Sequence, residues 1–416
     1  MPTLQRTCRA PSSSSVCQSE DLWVIGWTDG PRQESPREGA SLSLYLPDFF
    51  LKDPRPWVNV RSSLEVSRSE LISSLETYLV QLKSSSGVFA FSGPAVESSV
   101  VERGGGERCS PLSEQGASLS PFTLRSSSSY SSFKRVFHDL QEQISKGILQ
   151  KAVPVIFLNS EGGLSSEELA LQRALLLIQL LKNSQGSPLY VYGWWDFSGE
   201  GILGATPELL FSQPHGNELQ TMALAGTRLK EPVERSALSA LEGSLLEDPK
   251  ERLEHQIVVD SICTSLTPWG RVQVGQTQEL HLKTLSHLYT PIELHLQGTQ
   301  GIERSRFSDW VRALHPTPAL GASPREPGWD WLKAQAVNTD RARFGAPFGV
   351  YFSEQHSYCL VAIRNIQWIQ GAVTMGAGCG VVRSSQVDRE WRELQGKLRA
   401  IHRLFGLDDS HEVKIR

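Results

Sequence analysis

The chain has 416 residues, of which 39% are hydrophobic and 21% charged, enough apolar material for one large core or for two to three ordinary ones. A formal net charge of −4 gives no electrostatic case for a nucleic-acid surface, and no apolar run approaches the roughly 18 residues that would span a bilayer. Cys8, Cys17, Cys109, Cys263, Cys359 and Cys379 lie far apart with no CxxC pair, which argues against a zinc site or a disulfide framework and fits a reducing, cytoplasmic compartment.

Residues 1–20 carry Arg6, Arg9 and several serines with little amphipathic pattern, and read as a disordered segment rather than a transit peptide. From 21 to 102, strands are expected at 22–27, 41–46 and 87–92, with helical spacing over 71–82. Residues 103–132 are rich in Gly and Ser and read as a mobile connection. A core follows over 133–406, with 407–416 as a tail. Its first helix is marked by Phe133, Val136, Phe137, Leu140 and Ile144 and closed by Gly147. A strand over 150–157 comes next. Ser165 and Glu168 then have capping-box spacing ahead of a Leu-rich helix over 167–182. Strand-like runs at 189–196, 208–211 and 219–224 are separated by gaps too short for parallel crossovers. A charged helix covers about 249–265, and further strands are expected near 348–353, 358–364 and 372–376. The small residues Gly376 to Gly380 read as a turn leading into a helix whose buried stripe is Trp391, Leu394, Leu398, Ile401 and Phe405. The class is therefore mixed α/β with largely antiparallel sheets and no repeat of fixed period.

Several polar residues stand out against this background. Lys151 lies among Ala152, Val153, Val155 and Phe157, where a lysine either snorkels from a strand end or sits in a cleft with a lowered pKa. Glu208 follows Gly204-Ala-Thr-Pro207 and precedes Leu209-Leu-Phe211. It is either an exposed strand-edge carboxylate or a general acid with a raised pKa. Glu251 and Glu254 repeat the one-turn spacing of Glu390 and Glu393, and Lys397 shares a helix face with the latter pair. Two helices each offering a carboxylate pair make a plausible Mg²⁺ site, although exposed Glu–Lys pairs explain the same spacing. Gly226 and Thr227, in Ala225-Gly-Thr-Arg228, could bring backbone amides to an anion or simply form a turn. His287 and His315 are polar residues for which a satisfied structural histidine is the simpler reading. Arg364, at the end of Leu360-Val-Ala-Ile-Arg364, is a candidate carboxylate clamp.

In order, the segments GILQKAVPV, GATPELLF, LAGTR, KERLEHQIVVDSI, LSHLYTP, LHPTPALGASPR, RFGAPFGVYF, VAIR, GAGCGVV and EWRELQGKL resemble the chorismate-utilising family of anthranilate, aminodeoxychorismate, isochorismate and salicylate synthases. YLPDFFLKD at 45–53 is a weaker match. The resemblance implies a single α/β (α+β) domain of two antiparallel β-sheets packed as a sandwich with helices outside, and a cleft that holds Mg²⁺ and chorismate. Lysine rather than an uncharged residue at 151, and the run from His315 to Leu320, resemble isochorismate synthases most. On that resemblance Lys151 is the base that activates water and Glu208 the acid on the C4 hydroxyl. Glu254 and Glu393 would ligate Mg²⁺ with Glu251 and Glu390 alongside, and Gly226, Thr227, His287, Arg364, Gly378 and Lys397 would contact substrate. No glutaminase subunit is implied, and the isochorismate would feed menaquinone biosynthesis, siderophore biosynthesis or another pathway. Salicylate synthase, which adds pyruvate elimination, and a non-catalytic binding protein of the same fold are the alternatives. Cys379 replaces a usual alanine, Tyr351 a common tryptophan, and an acidic residue before Asp340-Arg341 is missing.

Overall fold

The computed structural model of the chain describes residues 2–6, 22–28, 31–37, 42–84, 124–126, 128–160, 162–196, 198–230, 244–297, 307–353 and 355–407. Among them, seventeen strands pair into one continuous ladder in which every pairing is antiparallel. It starts at Gly270–Val274 and Gln278–His281, which share one edge of Leu285–Leu296. It runs through Glu218–Leu229, Leu209–His215, His356–Val361, Pro347–Ser353 and Leu42–Tyr45 to Trp57–Ser67. It continues through Leu22–Thr28, Pro2–Arg6, Tyr190–Trp195, Gly201–Thr206, Asn365–Ile369, Ala372–Gly378 and Val155–Ser160 to Leu124–Ser126. The expected pair of sheets is present, but the two are joined rather than separate. The joint is Trp57–Ser67, whose first residues pair with Leu42–Tyr45 and whose last pair with Leu22–Trp27.

Period-two alternation sorts the side chains into layers. Between the two halves of the ladder, Tyr192, Trp194 and Ile202 pack against Leu44, Val58, Phe348, Val350 and Leu360, and the Tyr192 and Phe348 rings lie 4.8 Å apart. On the far face of the first half, Phe211, Leu219, Ala223, Ile292 and Leu294 pack with helices Pro249–Leu266 and Phe307–Leu314. On the far face of the second, Ile156, Leu158, Leu203, Ala205 and Ile366 receive helices Tyr130–Ser145, Ser166–Ser184 and Val387–Leu404. Burial at roughly 25 cal/mol per Å² of apolar surface makes these layers the main source of stability. Helix ends follow their local signals: Ser165 and Glu168 form a reciprocal capping box, and Gly147 takes φ +73° just past the first core helix.

The local expectations fail at informative places. The strand expected over 150–157 is broken at Pro154, which has no N–H to give a ladder. Val155–Ser160 joins the large ladder, whereas Lys151–Ala152 joins Ala322–Ser323 and Val381–Val382 in a separate three-stranded sheet. Gly376 to Gly378 are strand rather than turn, and the helix starts only at Val387. Arg364 lies beyond the end of His356–Val361 at φ +54°, a conformation that few non-glycine residues adopt. Pro2–Arg6 form a strand where a disordered start was expected. Leu124–Ser126 and the first turn of Tyr130–Ser145 fall inside the segment read as a connection. The strand expected at 87–92, most of 103–132 and residues 408–416 lie outside the described residues.

Candidate active site

Two helix N-termini meet at the Lys250 ammonium. Asp248 caps helix Pro249–Leu266 by accepting from the backbone N–H groups of Lys250 and Glu251 at 3.0 and 3.3 Å, and Pro249 opens the helix where its missing N–H costs nothing. Glu251 in that first turn, and Glu390 in the first turn of Val387–Leu404, lie where the helix dipole favours negative charge. Lys250 Nζ is 3.0 Å from Glu251 Oε1, 3.0 Å from Glu254 Oε2 and 3.2 Å from Glu390 Oε1. Glu254 Oε1 in turn lies 3.1 Å from Lys151 Nζ, an ion-pair contact out of line for a hydrogen bond. Glu393 Oε1 pairs with Lys397 Nζ at 2.7 Å, and that ammonium also donates to the Gly378 carbonyl at 2.9 Å. Gly380 makes the centre possible: a Cβ there would stand 1.8 Å from Glu254 Oε1 and 2.9 Å from Lys151 Cε.

Beside this cluster lies a cleft lined by Glu208, Gly226, Thr227, Glu254, His287, Arg364, Gly378, Gly380 and Lys397, with Leu224, Leu285, Leu320, Phe344, Ile363 and Ile401 as apolar walls. Glu208 sits in the link between Gly201–Thr206 and Leu209–His215, its backbone N–H donating to Thr206 Oγ1 at 3.1 Å. Gly226, at φ +76°, lets the Thr227 N–H reach Glu251 Oε2 at 2.8 Å. His287 faces the Gly226 carbonyl through Nδ1 at 3.2 Å and Arg364 Nη2 through Nε2 at 2.7 Å. With the proton on Nδ1, Nε2 accepts from the guanidinium and fixes its direction into the cleft.

Burial dominates the electrostatics. It pushes the Lys151 ammonium below the ordinary lysine range, with Glu254 pulling back and the neighbouring lysines adding to the fall. It raises the Glu208 carboxyl to about 7, although Lys151, Lys397 and Arg364 oppose the rise. It lowers Arg364 to about 10 against the pull of Glu208, and with Arg364 and Lys397 it keeps His287 neutral. Glu251 and Glu390 are raised, by burial first and then by Glu254 and Glu393 respectively. Glu254 is lowered despite burial because Lys151 and Lys250 face it. Lys250 is raised because its surrounding glutamates outweigh its burial.

All twelve candidate side chains and backbone positions thus come to one cleft and its adjoining charge cluster. His315 does not: it is buried elsewhere, Nε2 against the Phe49 carbonyl at 2.8 Å, while Leu320 from the same run reaches the cleft. Sequence reasoning passed over Lys250, although its i,i+4 relation to Glu254 is the spacing that singled out Glu393 and Lys397. The hard-oxygen donor set suits Mg²⁺, and Glu390 Oε2 is buried without a hydrogen-bond partner among the described residues. No three donor groups among the described residues are disposed to hold an ion, and the Lys250 ammonium lies among Glu251, Glu254 and Glu390.

Residues 108–406 match the family described as chorismate binding enzyme. The salicylate biosynthesis isochorismate synthase of Pseudomonas aeruginosa is 37% identical over 214 residues, which cover 50% of this chain and 43% of that protein. The isochorismate synthase MenF of Bacillus subtilis is 32% identical over 234 residues, 56% of this chain and 47% of that protein. The chain spans about half the length of the curated relatives it matches. The solved structure of MenF, the menaquinone-specific isochorismate synthase from Escherichia coli, aligns with a TM-score of 0.65 at 18% identity, over 97% of this chain and 89% of that chain. That likeness concerns the fold.

Proposed function

The chain belongs to the chorismate binding enzyme family, and from that premise we propose that it is an isochorismate synthase, a cytoplasmic, Mg²⁺-dependent isomerase that needs no glutaminase partner. Its main support is one pair of groups. Lys151 is fully buried and Glu208 is 4% exposed, and burial displaces them in opposite senses, the base toward its free amine and the acid toward its protonated form.

Lys151, as the amine, takes a proton from the water that adds at C2 of chorismate. The ring double bond shifts, and Glu208 gives its proton to the departing C4 hydroxyl. In the reverse direction the two exchange roles. Arg364, aimed by His287, binds one substrate carboxylate, with Gly226, Thr227, Gly378 and Lys397 lining the same cleft around the substrate. Glu254 and Glu393, with Glu251 and Glu390 beside them, would hold Mg²⁺, which would supply charge neutralisation at the C1 carboxylate. The apolar walls lower the local dielectric, which strengthens each of these contacts.

Purified protein given chorismate, Mg²⁺ and ammonium is expected to yield isochorismate, resolved by chromatography. Anthranilate or aminodeoxychorismate as the main product would overturn water as nucleophile, and salicylate with pyruvate would make the enzyme a salicylate synthase. The pH profile checks Glu208. Its folded pKa lies above the ordinary glutamate value of 4.5, so the acid form persists up to about 7 and is lost above it. The forward kcat is therefore expected to fall as pH rises through about 7. A kcat that climbs steadily from neutral to alkaline pH would remove Glu208 from the role of acid.

A further inference from the structure

Resting on the Mg²⁺ reading above, we propose that Lys250 is a tethered stand-in for the metal. Its ammonium holds the carboxylates of two helices together in the metal-free enzyme and leaves for solvent when the ion enters.

The geometry singles out this lysine among the three at the site. Lys151 faces Glu254 alone, and Lys397 faces Glu393 and the Gly378 carbonyl. Only Lys250 bridges the helices, with contacts of 3.0 Å to Glu251, 3.0 Å to Glu254 and 3.2 Å to Glu390. An ammonium has three N–H donors and no acceptor, and here three carboxylate oxygens surround it. Without it, two pairs of glutamates one turn apart would face each other across the gap between two helix N-termini. Such a cluster of buried like charges forces the helices apart or takes up protons.

An ion held by Glu254 and Glu393 would draw on the Glu254 carboxylate that this ammonium already engages, beside the Glu251 and Glu390 oxygens it also contacts. Magnesium binds oxygen at about 2.0–2.1 Å and demands a near-octahedral shell, so it cannot share the centre with an ammonium already in contact with those oxygens. The two cations also repel. Lys250 has a way out, because its side chain is 17% exposed and is carried on a flexible four-carbon stem at the first turn of its helix. The sequence encodes this economically. A lysine one residue before Glu251 and four before Glu254 lies within reach of both carboxylates of its own helix. The metal then enters by exchange, and its apparent affinity is reduced by the fraction of time that the lysine fills the site.

Two measurements test this without turnover. Calorimetric titration of Mg²⁺ into metal-free protein is expected to show Lys250→Met binding at least ~10-fold more tightly than wild type, as removal of an internal competitor requires. The variant is also expected to melt several degrees lower than wild type in EDTA and to recover with Mg²⁺. Equal or weaker Mg²⁺ binding by the variant would overturn the proposal. The second measurement uses wild type alone, in case the variant does not fold. Acetylation of Lys250 by acetic anhydride, followed by peptide mass spectrometry, is expected to be slow in EDTA and several-fold faster with Mg²⁺. An unchanged rate would mean that the ammonium does not leave, and the exchange would be ruled out. Neither readout involves chorismate. A protein that passes both but makes no isochorismate would fail the activity and keep the stand-in, whereas one that makes isochorismate yet binds no Mg²⁺ would lose the stand-in and keep the activity.

Discussion

Lys151→Ala is expected to lower kcat for isochorismate formation by at least ~10²-fold, the usual scale for loss of a general base. An ordinary lysine, with a pKa of about 10.4, is protonated at neutral pH and cannot take a proton from water. Lys151 differs because it is wholly buried in a two-residue strand, between Ala322–Ser323 on one side and Val381–Val382 on the other. That burial disfavours the ammonium, and the positive charges of Lys250 and Lys397 add to the effect. Glu254 pulls the other way, so the base is poised rather than permanently neutral. Alanine removes the amine but leaves Glu254 paired with Lys250 at 3.0 Å, so no buried carboxylate is stranded and the fold should persist. Chorismate binding should fall far less than turnover, since Arg364, His287 and Lys397 remain. Steady-state kinetics alongside calorimetric binding separate the two. Near-wild-type kcat in the variant would reduce Lys151 to a structural strand residue.

Glu254→Gln should be the more damaging change, with turnover lost by ~10³-fold or more, comparable to removing a principal electrostatic group from an active site. This one carboxylate faces Lys151 through Oε1 and Lys250 through Oε2, and it is the proposed metal ligand nearest the base. Glutamine keeps the shape and removes the charge. Two buried ammonium groups then lose a counter-charge, and the poise of Lys151 is lost together with the metal site. Stability should change as well, in a definite direction. The folded pKa of Glu254 lies below its ordinary value, so the unfolded chain binds the extra proton in that acid window. Its stabilisation is present above about pH 4.5 and lost as pH falls through the lowered pKa. The variant should therefore melt lower than wild type at neutral pH, and the difference should shrink in acid. A Glu254→Gln enzyme that turns over normally, at a rate insensitive to EDTA, would contradict both the metal site and the counter-charge.

Much of the sandwich was legible because its strands alternate and its helices carry full apolar stripes, as Trp391, Leu394, Leu398 and Ile401 do. Trp57–Ser67 escaped notice because its last seven residues are exposed or half-buried polar-rich sequence, so the hydrophobic period that marks a strand is absent where it crosses between sheets. Gly201–Thr206 escaped for the opposite reason. It is buried on both faces and rich in small residues, which leaves no alternation to detect. Pro154 was visible in the sequence, but its effect depends on which ladder each side can join, and that is a tertiary matter. At the site, the glutamate pairs were legible from one-turn spacing. What spacing cannot reveal is which charges face inward together, and so Lys250 read as part of an ordinary charged helix face.

The ladder has a consequence for how this protein can be divided. The stretch that matches the family begins at residue 108, yet four strands that precede it lie in the middle of the ladder, between Pro347–Ser353 and Tyr190–Trp195. What is contiguous along the chain is therefore not contiguous in space. Cutting at that boundary would open two internal seams at once, each a row of unpaired N–H and C=O groups flanked by Tyr192, Trp194, Phe348 and Val350, side chains built to face one another. The proposed catalytic groups all lie downstream of the cut, but the two halves of the ladder are paired to one another through strands upstream of it. Heredity is readable in the later part of the chain, whereas mechanical integrity belongs to the whole.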